Sequence, residues 1–250
     1  MRRRVHLVDA DPDLAEELDA RRLALARHHL VVDVESVDTG RWTPKADEFG
    51  AVGGLGLIVV EGLAIRQISL GHRAAAELLG PGDLLRPWDD DGEHAAYPFS
   101  SSFRVIEPLT LAVLGPEAIR VLMHFPEVVA RLVGRVMRRS RRVVGHLVIA
   151  QLTSVDTRLH VALWHLADRF GKVRPDGVIV PLPLTHEMLG LIVGARRPSV
   201  TAAMGRLVGR GIVETLPDGG WLLLGDPPQG LAANGELAVL RGGAASGAVL

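Results

Sequence analysis

From Leu184 to Val213 the chain reads LTHEMLGLIVGARRPSVTAAMGRLVGRGIV, and this stretch leaves few options for its local fold. Leu189, Ile192 and Val193 fall at helical spacing, Gly194 interrupts, and Val200, Met204, Leu207 and Val208 resume the period. The pattern describes two short helices joined by a tight turn. Thr185 is placed to cap the first, its hydroxyl reaching an orphan N–H one turn in. Gly194 can take the positive φ needed by a sharp turn between helices at roughly 90 to 120°. Pro198 belongs in the first turn of the second helix, whose early N–H groups have no helical partner anyway. Gly211 ends that helix.

The second helix carries Arg196, Arg197, Ser199 and Thr201 at its N-terminus, the end that enters the major groove in DNA-reading units. An arginine can donate two parallel hydrogen bonds to O6 and N7 of guanine, and a serine or threonine hydroxyl suits a phosphate oxygen beside the positive end of a helix. An ordinary helical hairpin with a solvated basic end has the same spacing. The next segment argues against it. Ile212 to Thr215, the turn Pro217-Asp218-Gly219-Gly220, and Trp221 to Leu224 spell strand, turn, strand. A hairpin directly after a recognition helix is a wing.

The order Thr185, Leu189-Gly190, Ile192-Val193-Gly194, Arg197, Ser199-Val200 and Gly211-Ile212 resembles the winged helix of the Crp/Fnr family of bacterial transcription regulators. The resemblance implies that Arg197 reads a guanine and that Ser199 holds a phosphate. Thr185 is counted with Arg196, Arg197, Ser199 and Thr201 among the DNA-contacting residues. The sequence departs at Pro198, where the catabolite-activator branch has a glutamate that accepts from cytosine, so that branch's operator does not carry over. Upstream, Leu57 to Ile65 with its central Gly62, and then Glu77-Leu78-Leu79-Gly80-Pro81-Gly82-Asp83-Leu84-Leu85, resemble the paired strand and Gly-Asp turn of the family's cyclic-nucleotide-binding β-roll. The two matches together span roughly residues 40 to 225.

The remaining sequence is compatible with that organisation. Its 250 residues allow one to two domains with ample core. With no cysteine, disulfides, thiolate zinc sites and cysteine-held iron–sulfur clusters are excluded. No run approaches the roughly 18 apolar residues of a membrane span, and the apolar run after Arg2-Arg3-Arg4 is too short for a signal peptide. A cytoplasmic protein with no membrane partner is expected. The net charge of −1 conceals an asymmetry: residues 1–124 hold 13 Lys+Arg against 20 Asp+Glu, residues 125–225 hold 14 against 7, and residues 226–250 hold 1 against 2. The basic segment contains the helix-turn-helix, as expected for an anionic partner, although a charged face can also be merely solvated.

Pro12 to Leu30 reads as one or two lead-in helices. From Val31 to Val113 short apolar runs alternate with glycine, including Leu55 to Ile68, which is two strands or one long strand kinked at Gly62. Further runs at Ala75 to Leu79, Leu84-Leu85, Ser102 to Ile106 and Thr110 to Leu114 suggest a sandwich or jelly roll. The nucleotide pocket is where the family's pattern fails. Cyclic-AMP-binding members supply a glutamate after the Gly-Asp turn and then an Arg-Ser or Arg-Thr pair for the phosphate. Here Arg86-Pro87-Trp88 and Asp89-Asp90-Asp91-Gly92-Glu93 follow the turn, and no arginine precedes Ser100, Ser101 and Ser102. A buried phosphate without a charged partner is costly, so no cyclic-nucleotide cofactor is expected. The acidic run lacks the alternating ligands of a calcium loop and reads as solvated.

Pro126 to about Thr153 forms one long helix on its periodicity. Val129, Val133, Val136, Ser140, Val143, Leu147 and Ala150 alternate four and three apart, the seam of a two-stranded coiled coil, and the first six are the expected dimer interface. Packing of this stripe on the chain's own β-roll is the alternative. Arg131, Arg135, Arg138 and Arg142 follow the same rhythm on another face, either solvated or reaching acidic loops of the sensor or DNA. After a break near Ser154, a support helix carries Leu159, Leu163, Leu166 and Phe170 and stops at Gly171; a strand from Val178 to Leu182 follows. The tail from Pro227, rich in Gly and Ala, reads as disordered.

The ten histidines include no helical metal pair, since His160 and His165 are five apart, and His160, which shares a face with Asp156 and Trp164, reads as structural. No nucleophile elbow, phosphate loop or dinucleotide fingerprint occurs, so no enzyme is expected. The expected fold is α+β. Residues 1–125 make lead-in helices and a jelly-roll-like β-roll, 126–153 a dimerisation helix, 154–225 a winged helix-turn-helix and 226–250 a disordered tail. The expected function is a Crp/Fnr-type transcription regulator that binds a palindromic operator in double-stranded DNA as a homodimer, with RNA polymerase a further candidate partner. Two alternatives stand beside it: a regulator responsive to cAMP or cGMP, and an interaction module that does not bind DNA.

Overall fold

A computed structural model of the chain describes residues 3–88, 97, 99–217 and 219–228. The acidic run from Asp89 and the tail beyond residue 228 lie outside the described residues. The chain divides into two units, Met1–Leu147 and Val148–Leu250.

The first unit is a seven-stranded antiparallel sheet ordered β1-β2-β7-β4-β5, with β3 on β7 and β6 on β4. The strands are β1 (Arg3–His6), β2 (Val31–Val37), β3 (Gly40–Trp42), β4 (Gly56–Leu70), β5 (Arg73–Leu79), β6 (Leu84–Leu85) and β7 (Ser100–Leu114). Helices α1 (Leu7–Ala10), α2 (Ala20–His29), α3 (Ala46–Phe49) and α4 (Pro116–Leu122) intervene, with a 3-10 turn at Pro12–Ala15. The lead-in therefore holds a strand that periodicity does not reveal, because β1 is only four residues long and largely exposed. Of the two readings of Leu55 to Ile68, one long strand is right. β4 and β7 pair along nearly their whole lengths, with register shifts between Val59 and Ala64. Gly62 sits in that bulge at φ +92°, where an added Cβ would stand 2.1 Å from the Pro108 carbonyl oxygen. Pro108 lies within β7 at the same irregularity, where a residue without an N–H is tolerated. The two runs from Ser102 and Thr110 are one strand for the same reason.

Two cores form. Trp42, Phe49, Leu57, Leu79, Phe103 and Leu111 fill the roll, Trp42 and Phe103 meeting edge to face at 5.5 Å. Leu7, Leu14, Leu30, Ile58, Leu114 and Leu122 seal the lead-in elements, together with Phe125, Val128 and Leu132 at the start of α5 (Pro126–Gln151). The Gly-Asp turn has the expected form: Gly82 takes φ +84° and Asp83 Oδ2 accepts from Gly80 N at 3.0 Å.

The second unit contains α6 (Val155–Phe170), β8 (Lys172–Arg174), β9 (Gly177–Val180), α7 (His186–Val193), α8 (Arg197–Gly209), β10 (Val213–Thr215) and β11 (Trp221–Leu223). Ser154 caps α6 by accepting from Thr157 N at 3.0 Å. Gly171 ends it through close approach, its φ being −70° while an added Cβ would stand 2.4 Å from Ala167 O. The sheet order is β10-β11-β9-β8, so the wing pairs with the strand before the helix-turn-helix. Leu159, Leu163, Leu189, Val193, Val200 and Leu207 are buried beneath it. Val208 is 42 % exposed and lies outside the core in which its spacing placed it. No helix among the described residues is long and apolar enough to cross a membrane.

Candidate nucleic-acid interface

The turn between α7 and α8 is built as the sequence demands. Thr185 Oγ1 accepts from Met188 N at 3.2 Å, and Gly194 closes α7 in the left-handed region at φ 65°, ψ 40°. Ala195 N donates to Gly190 O at 2.9 Å. Gly190 permits this approach, since a Cβ there would stand 2.5 Å from Ala195 O. α8 ends with Gly211 at φ +66°, its N–H donating to Val208 O at 2.9 Å while Ile212 N donates to Leu207 O at 3.1 Å, the paired bonds of a Schellman close.

The N-terminal end of α8 is open. Arg196, in extended conformation, offers no side-chain cap, and the first turn holds Pro198 and no acidic residue. Arg196, Arg197 and Ser199 are exposed, and their side chains make no hydrogen bond or ion pair with other described residues. An uncapped positive helix end beside two guanidinium groups and a hydroxyl favours an anion. Thr185 is also exposed, but its hydroxyl oxygen already accepts at the cap. Thr201 differs more. Its hydroxyl donates to Arg197 O at 3.1 Å and lies 2.9 Å from His186 Nδ1, so its only proton is used inside the protein. Sequence reasoning missed His186, because a contact fifteen residues away leaves no periodic trace.

Other contacts brace the helices of this unit. Arg206 on α8 is bound through both nitrogens of its fork to Asp156, with Nε at 2.9 Å, and that hydrogen bonding holds the Asp156 carboxyl below the usual range. Arg158 donates from Nε to Leu152 O at 2.6 Å and from Nη1 to Gly194 O at 3.3 Å, tying the start of α6 to the turn. His160 accepts from Trp164 Nε1 at 3.1 Å, and burial pushes its pKa down, in keeping with a neutral structural histidine.

On α5 the expected seam divides. Val129 packs against the core that seals the lead-in elements onto the roll, so it follows the alternative reading of the stripe. Ala150 likewise faces inward, 3.6 Å from a Cβ placed on Gly194. Val133, Val136 and Leu147 are 56, 47 and 58 % exposed, and Ser140 and Val143 are exposed beside them. The arginine row is one of acid pairing: Arg131 with Glu16, Arg135 with Asp11 (Nη2 to Oδ1 at 2.7 Å), and Arg142 with Asp83 at 2.7 Å. Arg139, missed by the four-three spacing, holds Glu77 at 2.6 and 3.1 Å, whereas Arg138 is exposed. Arg135 is 8 % exposed; burial, the largest single influence, depresses its pKa, but the Asp11 hydrogen bonds together with the charges of Asp11, Asp13 and Asp83 outweigh it and the net shift is upward.

The serine segment differs from expectation in one respect. Arg66, from the neighbouring strand β4, donates to Ser101 Oγ at 3.1 Å, so an arginine does stand beside these serines, its charge shared with Glu77 at 3.5 Å.

Residues 157–229 match the family described as the Crp-like helix-turn-helix domain. A CRP-like cAMP-activated global transcriptional regulator of Mycobacterium tuberculosis (strain CDC 1551 / Oshkosh) is 28% identical over 155 residues, 58% of this chain and 66% of that protein. The match thus spans just under two thirds of that relative's length. Three solved structures have a similar fold. A CooA mutant from Carboxydothermus hydrogenoformans has a TM-score of 0.56 at 16% identity, covering 88% of this chain and 91% of that one. A cyclic nucleotide-binding domain containing protein from Listeria monocytogenes EGD-e has a TM-score of 0.57 at 16% identity, with 73% and 84% covered. A CRP-family transcriptional regulator from Thermus thermophilus has a TM-score of 0.53 at 20% identity, with 76% and 92% covered.

Proposed function

We propose, from the premise that a chain with a Crp-like helix-turn-helix domain belongs with the Crp/Fnr transcription regulators, that this protein is a cytoplasmic, sequence-specific DNA-binding regulator acting as a homodimer. The observation that carries the reading is the uncapped, exposed N-terminus of α8, with Arg196, Arg197 and Ser199 facing solvent and a wing following directly. Arg197 reads a guanine edge; Arg196, Ser199 and Thr185 hold phosphates. The exposed stripe from Val133 to Leu147 supports a dimer, because a monomer would leave it in water. Two recognition helices then enter successive major grooves about 34 Å apart and read a two-fold-related operator. RNA polymerase is the partner through which such a regulator would act.

A second reading, a regulator answering cAMP or cGMP, is favoured by two observations. The curated relative is cAMP-activated, and Arg66 stands beside Ser101. Selection of random duplex DNA by the purified protein, with and without cAMP at one stated salt concentration, tests both readings. A palindromic site recovered equally in both conditions supports the effector-independent regulator. Recovery only with cAMP supports the second reading. No enrichment in either condition, together with no salt-dependent affinity for any duplex, overturns DNA binding and leaves an interaction module.

A further inference from the structure

The end of α8 that faces DNA lacks what normally fixes a helix start. The Arg196 side chain cannot accept a hydrogen bond, Pro198 has no N–H, and no acidic side chain stands in the first turn. A missing cap loosens the turn that carries Arg197, whose side chain is expected to meet a base edge within a few tenths of an ångström. Something else must hold that turn.

We propose that His186 is a positioning residue for base reading, acting on Arg197 through Thr201. The direction of each bond follows from counting protons. Thr201 Oγ1 has one hydrogen, and it is donated to Arg197 O at 3.1 Å. With that hydrogen on the Arg197 carbonyl, the 2.9 Å contact between His186 Nδ1 and the same oxygen is an Nδ1–H donating to the hydroxyl, and this tautomer is part of the proposal. The chain runs from the first residue of α7, through the second turn of α8, to the carbonyl of the arginine that opens α8. It ties both helices at the edge where the DNA lies and keeps the Thr201 hydroxyl from making a base contact. His186 itself needs no DNA contact to act in this way.

The inference rests on the proposed DNA binding and separates from it in test. The full-length protein is compared with His186→Ala, His186→Asn, His186→Gln and Thr201→Val, on the selected operator and on the same operator changed at the base pair read by Arg197. Asparagine places an amide N–H near where Nδ1 lies, and glutamine places one near Nε2. His186→Ala and Thr201→Val are each expected to lower discrimination between the two operators about five- to tenfold, with the double variant no worse than either. His186→Asn restores discrimination, His186→Gln does not, and the salt dependence of binding is unchanged in all four. Equal weakening on both operators, with a salt slope reduced by about one and rescue by glutamine, overturns the proposal and makes His186 a phosphate contact. A nitrogen-15 spectrum of the free protein showing the neutral His186 ring protonated on Nε2 overturns it as well, while leaving DNA binding untouched. Wild-type protein that binds no duplex removes the proposed function, and this inference with it.

Discussion

Gly190 and Gly205 both lie inside helices, and helix propensity assigns the same gain, up to about 1 kcal/mol, to replacing either with alanine. Their surroundings give the two substitutions opposite signs. Around Gly205 nothing lies within 4 Å of an added Cβ, so the propensity gain stands alone. A Cβ on Gly190 would meet the Ala195 carbonyl oxygen at 2.5 Å and Val200 Cγ2 at 3.6 Å. That carbonyl belongs to the turn that aims α8, and Ala195 N is itself bonded to Gly190 O. The oxygen must retreat by about an ångström, or the two helices must part. Overpacking of this kind costs about 1–3 kcal/mol, so after the propensity gain Gly190→Ala is destabilised by up to about 2 kcal/mol. For a unit of this size each kcal/mol moves the midpoint by about 4–8 °C. Thermal melts of the full-length chain followed by circular dichroism should place Gly190→Ala several degrees below wild type and Gly205→Ala at or above it. A Gly190→Ala midpoint equal to that of Gly205→Ala would refute the steric argument, since the turn would then be compliant enough to leave the aim of α8 unspecified.

Four further outcomes are expected. Arg197→Ala should cost about 1 to 3 kcal/mol on the selected operator and relax preference at one guanine; equal weakening on every sequence would make Arg197 a phosphate contact. Val136→Glu should convert the protein to monomer in sedimentation at micromolar concentration, and a wild-type monomer would already reject the dimer. Asp11→Ala should cost about 3–5 kcal/mol in urea denaturation by leaving Arg135 buried without its partner, whereas Asp11→Leu with Arg135→Met should recover most of that loss. The depressed pKa of His160 means that the unfolded chain takes up a proton before the folded one. Its contribution is therefore complete above about pH 6.5 and is lost as pH falls through the lower folded value, and His160→Gln should flatten the stability profile in that window.

The helix-turn-helix was legible because every device in it is local: a cap, a left-handed glycine, a proline in a first turn and a four-residue period all leave marks within a few positions. The β-roll was legible as a texture of short runs, but not in its joins. Whether two runs make one strand depends on a bulge at Gly62 opposite Pro108, which pairs residues more than forty apart. β1 and β8 escaped for a simpler reason, since three or four largely exposed residues carry no alternation, whereas the strand expected from Val178 is present as β9 and ends at Val180. On α5 the period was right and its destination was mixed. A helix with apolar and basic residues on several faces does not say which face meets its own roll. Val129 went to the roll, while Val133, Val136, Ser140, Val143 and Leu147 face solvent.

The same helix changes the meaning of the charge asymmetry. Residues 125–225 carry twice as many cations as anions, which by itself suggests a broad surface for DNA. Four of those cations, Arg131, Arg135, Arg139 and Arg142, are engaged by Glu16, Asp11, Glu77 and Asp83 of the acidic first unit. Arg206 is engaged by Asp156. Much of the excess is thus matched within the chain, and part of the opposite charge on residues 1–124 exists to match it. Arg196 and Arg197 lie exposed at the start of α8, and Arg138, Arg141, Lys172 and Arg174 are exposed elsewhere in the segment. Each phosphate neutralised contributes about −0.9 to the slope of log affinity against log salt. If the proposed contacts are confined to Arg196 and its immediate neighbours, a single protomer's half-site has a shallow slope. A steep one would mean that further cations, such as Arg138 and Arg141 of α5 or Lys172 and Arg174 of β8, also reach phosphates.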